Sequence, residues 1–129
     1  MKFNVNIPIY IQLMEDLKIK IITNKILLGQ KLPSIRELSN IYKVNQNTLQ
    51  KALIELERQK LIYTKRTNGK FVTDDKKTID KIKNEYAKLI ANKYFESMDK
   101  IGINKARAIN YLYERKLEDS LWDDLITKW

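Results

Sequence analysis

The chain has 129 residues, with 25 Lys and Arg against 16 Asp and Glu and a net charge of +9. That length holds about one domain with a short appendage, and a composition 43% hydrophobic and 32% charged is that of a globular rather than a disordered protein. Neither Cys nor His is present, which excludes disulfides, thiolate nucleophiles, imidazole acid–base chemistry and Cys- or His-ligated metals.

Two Pro and three Gly punctuate the chain. After Pro8, apolar residues at Tyr10, Leu13, Met14, Leu17 and Ile21 follow helical spacing and predict an amphipathic helix over about 9–24. Gly29 and Pro33 bracket a loop. Ser34 stands three residues before Glu37, the spacing of a capping box, so a short second helix should start there. It should turn Ile35, Leu38 and Ile41 or Tyr42 inward. Asn45 is a good N-cap for a third helix, whose Leu49, Ala52, Leu53 and Leu56 form an apolar stripe. Beyond Lys60 the period changes. Two short β-prone segments, 61–65 and 70–73, flank Asn68-Gly69, which signals a type I′ hairpin.

Residues 74–77 are polar and charged and mark a candidate boundary. Ile79, Ile82, Tyr86, Leu89 and Ile90 then predict a long amphipathic helix to about Met98, broken at Gly102. Asn104 can cap a further helix carrying Ala108, Ile109, Leu112 and Tyr113. Ser120 opens a last turn with Leu121, Trp122, Leu125 and Trp129. The expected fold is mainly α with a small β-hairpin: a winged helix-turn-helix over 1–75 and a helical tail over 76–129.

Charge is unevenly placed. Residues 31–73 carry nine basic side chains against three acids, whereas 76–129 carry twelve against nine. The basic surplus therefore lies on the helix-turn-helix and hairpin, where a nucleic acid needs it. A helix N-terminus fits the major groove of double-stranded DNA, and amides such as Gln46, Asn47 and Gln50 pair in bidentate fashion with adenine. A Lys- and Arg-rich hairpin can lie along the sugar-phosphate ridge. The adjacent pairs Glu118/Asp119 and Asp123/Asp124 do not converge on a metal. No catalytic residue, metal or cofactor is expected. No apolar run approaches a membrane span, and residues 1–10 lack a signal-peptide core. A cytoplasmic protein that is not an enzyme is the expectation.

Four blocks resemble a known family. Leu32-Pro33-Ser34-Ile35-Arg36-Glu37-Leu38-Ser39 is similar to the L-P-S-x-R-E-L-A opening of the GntR regulators. Val44-Asn45-Gln46-Asn47-Thr48-Leu49-Gln50-Lys51-Ala52 resembles their recognition helix. Leu56-Glu57-Arg58-Gln59-Lys60-Leu61-Ile62 resembles their L-E-x-x-G-L-I, and Gly69-Lys70-Phe71-Val72 the end of their wing, G-x-G-x-F-V. The recognition segment and the short tail are most similar to the YtrA-like branch. The resemblance implies a homodimeric DNA-binding repressor whose tail dimerises.

By matching position, the resemblance implies DNA contact by Arg36, by Asn45, Gln46, Asn47, Thr48 and Gln50, and by Gly69 at the wing tip. Ser34, Lys51, Lys65, Arg66 and Lys70 complete the expected DNA-binding set, with Ser34 and Asn45 capping first. Four positions depart from the family's pattern. Gln46 and Gln50 replace the family's frequent Arg and favour A·T over G·C base pairs. Thr67 replaces the first wing Gly, and Lys60 the Gly before Leu61. The tail aromatics read as packing residues, with Ile82, Tyr86, Leu89, Leu112 and Trp122 expected at a dimer contact. The competing reading is a winged-helix protein-interaction module that binds no duplex. Whether a small-molecule effector exists is not legible in the residues.

Overall fold

The computed structural model describes residues 1–114. In chain order these form α1 (Ile9–Ile22), α2 (Ile35–Tyr42), α3 (Gln46–Arg58), β1 (Ile62–Lys65), β2 (Gly69–Val72), α4 (Lys76–Lys100) and α5 (Lys105–Glu114). They divide into two compact units, Met1–Glu85 and a second beginning at Tyr86. The mainly helical fold with one hairpin is the one expected. The turn read over 120–129, with Trp122, lies outside the described residues.

In the first unit, α1 and α2 both pack on α3. α1 contributes Leu13, Met14, Leu17, Ile21 and Ile22, and α3 its stripe of Leu49, Ala52, Leu53 and Leu56. Leu32, Leu38, Tyr42, Leu61, Ile62 and Val72 close the core. Each fully buried Leu contributes about 1.5–3 kcal/mol by leaving water. Of the two candidates at the end of α2, Tyr42 turns inward and Ile41 stays exposed. α4 begins beside the expected junction, where Asp75 accepts bonds from Lys77 N (3.0 Å) and Thr78 Oγ1 (3.0 Å). Its first turns add Ile79 and Ile82 to this core, so the compact unit runs past residue 75.

The caps form where the residue types place them. Glu37 N donates to Ser34 Oγ (3.1 Å) and Ser34 N to Glu37 Oε1 (3.4 Å), closing the capping box of α2. Thr48 N donates to Asn45 Oδ1 (2.8 Å) at the start of α3. Between the helices the chain turns through Lys43, at φ 55°. A polar cluster ties α1 to α2: the Tyr42 hydroxyl donates to Asp16 Oδ2 (2.7 Å), and Lys20 Nζ reaches both Asp16 (2.9 Å) and the Tyr42 oxygen (3.1 Å).

β1 and β2 pair antiparallel, Ile62 with Val72 through Lys65 with Gly69. The expected type I′ turn is corrected here. Three residues, Arg66, Thr67 and Asn68, make the loop, and Asn68 N donates to Lys65 O (3.1 Å). The left-handed residue is Gly69, at φ 102°, and Asn68 is not. A type I′ turn needs both central residues left-handed, and of Asn68 and Gly69 only Gly69 has a positive φ. Thr67, having no positive φ, needs no Gly. Lys31, read only as loop, bridges Phe71. Leu32 N donates to Lys70 O (2.8 Å) and Val72 N to Gln30 O (2.9 Å), so residues 30–32 tie the hairpin to the start of α2.

The described residues of the second unit form a helical hairpin. The chain leaves α4 through Gly102, at φ 80°, and Asn104 caps α5 by accepting from Arg107 N (2.9 Å). The Tyr94 hydroxyl donates to Ala108 O (2.6 Å), and Ala108 is fully buried. Leu89, Ile90, Ile101, Ile109, Leu112 and Tyr113 remain exposed.

Lys60 stands at φ 63°, where a side chain costs about 1–2 kcal/mol relative to Gly. Lys60→Gly should raise stability by about 0.5–1 kcal/mol after the added freedom of the unfolded chain is offset, read as a higher urea midpoint. Among the described residues, three carboxylates have lowered pKa values. Burial alone would raise Asp16, but bonds from Lys20 and Tyr42 outweigh it and leave its pKa below 3.8. The Arg58 side chain, then Gln59, holds Glu55 at about 2, and the Thr64 hydroxyl lowers Glu57. Their stabilising contribution is whole above pH ~4.5, the ordinary range, and is lost as pH falls through the lowered values. The urea midpoint should hold from pH 7 to 5 and drop below 4, and Asp16→Asn should make that drop smaller.

Candidate nucleic-acid interface

Burial of the α3 stripe leaves the opposite face outward. Gln46, Asn47, Gln50 and Lys51 are exposed, and none makes a side-chain hydrogen bond or ion pair among the described residues. Asn45 and Thr48 sit at the same end of the helix. The Asn45 carbonyl is engaged as cap, and Thr48 is half-buried. Free amides on the leading turns of a helix are the groups that read adenine edges in a major groove.

Arg36 projects from the first turn of α2 and is exposed. The Glu37 carboxylate is turned back onto Ser34 N, so Arg36 keeps its guanidinium for an outside anion. Ser34 Oγ is engaged as cap. An open cleft of about 790 Å³ runs between this end of α2 and the hairpin, lined by Lys31, Arg36, Lys70, Asn68 and Gly69 among others. Lys31 counts in the basic surplus over 31–73 but is not among the contacts expected from the sequence. Its signal was position: a basic residue directly before the Leu32-Pro33-Ser34 opening.

The hairpin cations differ in availability. Arg66 is exposed at the tip with no side-chain hydrogen bond or ion pair among the described residues. Lys65 lies over the Phe71 ring at 4.6 Å and the Tyr63 ring at 6.0 Å, which stack on each other at 5.9 Å. This holds the charge on one face of the wing. Lys70 is turned inward. Its Nζ donates to Thr64 Oγ1 (2.9 Å) and pairs with Glu57 (3.4 Å), which also accepts from Thr64 (2.8 Å). With its side chain 22% exposed, Lys70 latches the wing to the end of α3. At Gly69 an added Cβ would come within 3.3 Å of the Lys31 side chain, and the positive φ also favours Gly. Arg58 pairs with Glu55 on its own helix.

The expected dimer residues separate. Ile82 is buried in the core of the first unit, because α4 enters that core with its first turns, and it has little surface left for a second chain. Tyr86 is half-buried, and Leu89 and Leu112 are exposed. Trp122 lies outside the described residues. No group of three Asp or Glu among the described residues could hold a metal ion. Among them too, no helix is long and apolar enough to cross a membrane.

Three helices, a paired wing and an outward amide-bearing helix in one core define a winged helix-turn-helix DNA-binding protein. The model for bacterial regulatory proteins of the gntR family matches residues 9–72. The chain is 34% identical over 98 residues to the HTH-type transcriptional repressor YtrA of Bacillus subtilis, covering 71% of this chain and 75% of that one. A GntR family transcriptional regulator from Listeria monocytogenes superposes with a TM-score of 0.80 at 37% identity, covering 88% of this chain and 100% of that one. AraR(DBD), solved in complex with operator ORR3, superposes with a TM-score of 0.51 at 33% identity over 57% of this chain and 88% of that one. The chain belongs to the GntR family and is a DNA-binding transcriptional regulator. The resemblance drawn from the four sequence blocks is thus borne out.

Two of the three wing cations, Arg66 and Lys70, should respond differently to truncation. Arg66→Ala should leave the unfolding midpoint unchanged and reduce the salt dependence of DNA binding by about one phosphate contact. Lys70→Ala should lower the midpoint and change the salt slope less. Urea titrations and fluorescence anisotropy over a range of salt concentrations measure both.

Proposed function

We propose that this regulator is a cytoplasmic repressor that binds a palindromic operator as a homodimer. Gln46, Asn47 and Gln50 read base edges, and Arg36, Lys51, Lys65, Arg66 and the Gly69 backbone hold phosphates. Ser34, Asn45 and Thr48 set the helix ends from which this is done, with Lys70 as a latch that holds the wing in place against α3. Residues 1–75 supply the DNA contacts, and the tail from 76 onward joins two copies. The observation that carries the reading is the exposed amide face of α3 beside a cationic wing within one packed unit. The repressor role is supported by the likeness to YtrA, and the dimer by the exposed apolar residues of the second unit, Leu89 and Leu112 among them.

Two-fold symmetry in the protein requires half-sites about one helical turn apart, ~34–36 Å between centres. Promoter occupancy would exclude polymerase, and any effector would act by changing the spacing of the two winged units. The test is titration of DNA from upstream of the protein's own gene, with sedimentation giving the stoichiometry. Two chains per duplex and a dyad footprint are expected; one chain per duplex, or equal affinity for random DNA, refutes the proposal. Gln50→Ala should lose preference at one base pair of each half-site, costing roughly 1–3 kcal/mol there, with the salt slope unchanged.

A further inference from the structure

α3 carries an apolar side chain that the core does not use. Ile54 is 56% exposed, although it belongs to the helix whose Leu49, Ala52, Leu53 and Leu56 are all buried. At about 100° per residue, Ile54 lies within roughly 20° of Asn47 and 40° of Gln50 around the helix axis, and close to Lys51. It is therefore set in the polar outward face, nearly opposite the buried stripe. In a solvated helix this site favours a charged or amide side chain, and a β-branched residue there also lowers helix propensity slightly. Ile54 is the lone apolar group among the amides and Lys51 of that face.

Base edges in the major groove offer one apolar group, the C5 methyl of thymine. We infer that Ile54 is a specificity-determining residue that packs on a thymine methyl in each half-site. The inference rests on the operator-binding reading above and adds a contact that hydrogen bonding cannot supply. The helical rise of 1.5 Å per residue puts Ile54 about 6 Å along α3 from Gln50. With about 3.4 Å per nucleotide along one strand, that is one to two base pairs from the pair read by Gln50. The amides select adenine edges and Ile54 selects thymine at a neighbouring step, so the half-site is A·T-rich for two independent reasons.

The test begins with selection of duplexes from a random library by the full chain and by Ile54→Ala. Ile54 is exposed, so the variant should keep its fold, which an unchanged urea midpoint confirms. The wild type should enrich a dyad motif with one thymine per half-site that Ile54→Ala no longer requires. That thymine is then replaced by deoxyuridine, which deletes only the methyl group and needs no protein variant. Burial of one such group corresponds to about a fourfold change in affinity. Uracil should cost the wild type about fourfold per half-site and cost Ile54→Ala nothing. A motif identical for both proteins, or an equal uracil penalty in both, overturns the role of Ile54 and leaves the operator reading intact. A wild type that enriches no motif overturns the operator reading, and this inference with it.

Discussion

Burial of Leu49, Ala52, Leu53 and Leu56 beneath α1 sets the rotation of α3 about its own axis, and most of the protein's chemistry follows from that rotation. A helix has one angle at which this stripe leaves water. At that angle Gln46, Asn47, Gln50, Lys51 and Ile54 point outward together. Slipping the apolar stripe by one residue would turn the helix by about 100° and carry the amides off the outward side. The hydrophobic term is non-directional in itself, but acting on a 3.6-residue period it aims polar groups.

The wing depends on the same helix by a different force. Glu57, one residue beyond the last buried Leu of α3, holds Thr64 and Lys70, so the hairpin is aimed by the helix whose side chains it assists. The lowered pKa of Glu57 is the electrostatic mark of that attachment. On the other edge, residues 30–32 bond to β2 through the backbone, which fixes the hairpin relative to Arg36. Lys31, Arg36 and Lys70 thereby line one cleft although they come from three separate segments of the chain. The basic surplus counted along the chain is thus reduced in practice. Lys70 and Arg58 are neutralised by acids of α3, while Arg36, Lys51 and Arg66 remain available to phosphates.

Backbone strain is concentrated at turns rather than spread through the elements. Lys43 ends α2 at a positive φ, and Lys60 does the same between α3 and β1. Each costs free energy that the adjoining buried residues must outweigh, Tyr42 at the first turn and Leu61 at the second. These turns keep the helix-turn-helix and the helix-to-wing passage short, so α3 and the wing stay within one packed core.

Sequence alone determined the helices, their caps and the inward stripes of α1 and α3, because capping and amphipathic periodicity are local in the chain. It also determined the family and the amide face, since four short blocks carry both. Tertiary structure decided the rest. The type I′ reading of Asn68-Gly69 failed because the two-residue signal does not specify which residue takes the left-handed conformation; strand register does. The pairing of Lys31 with Phe71, the capture of Lys70 by Glu57 and the entry of Ile82 into the first core are contacts between residues far apart in sequence. No local pattern encodes them, because each depends on where another element has already come to rest.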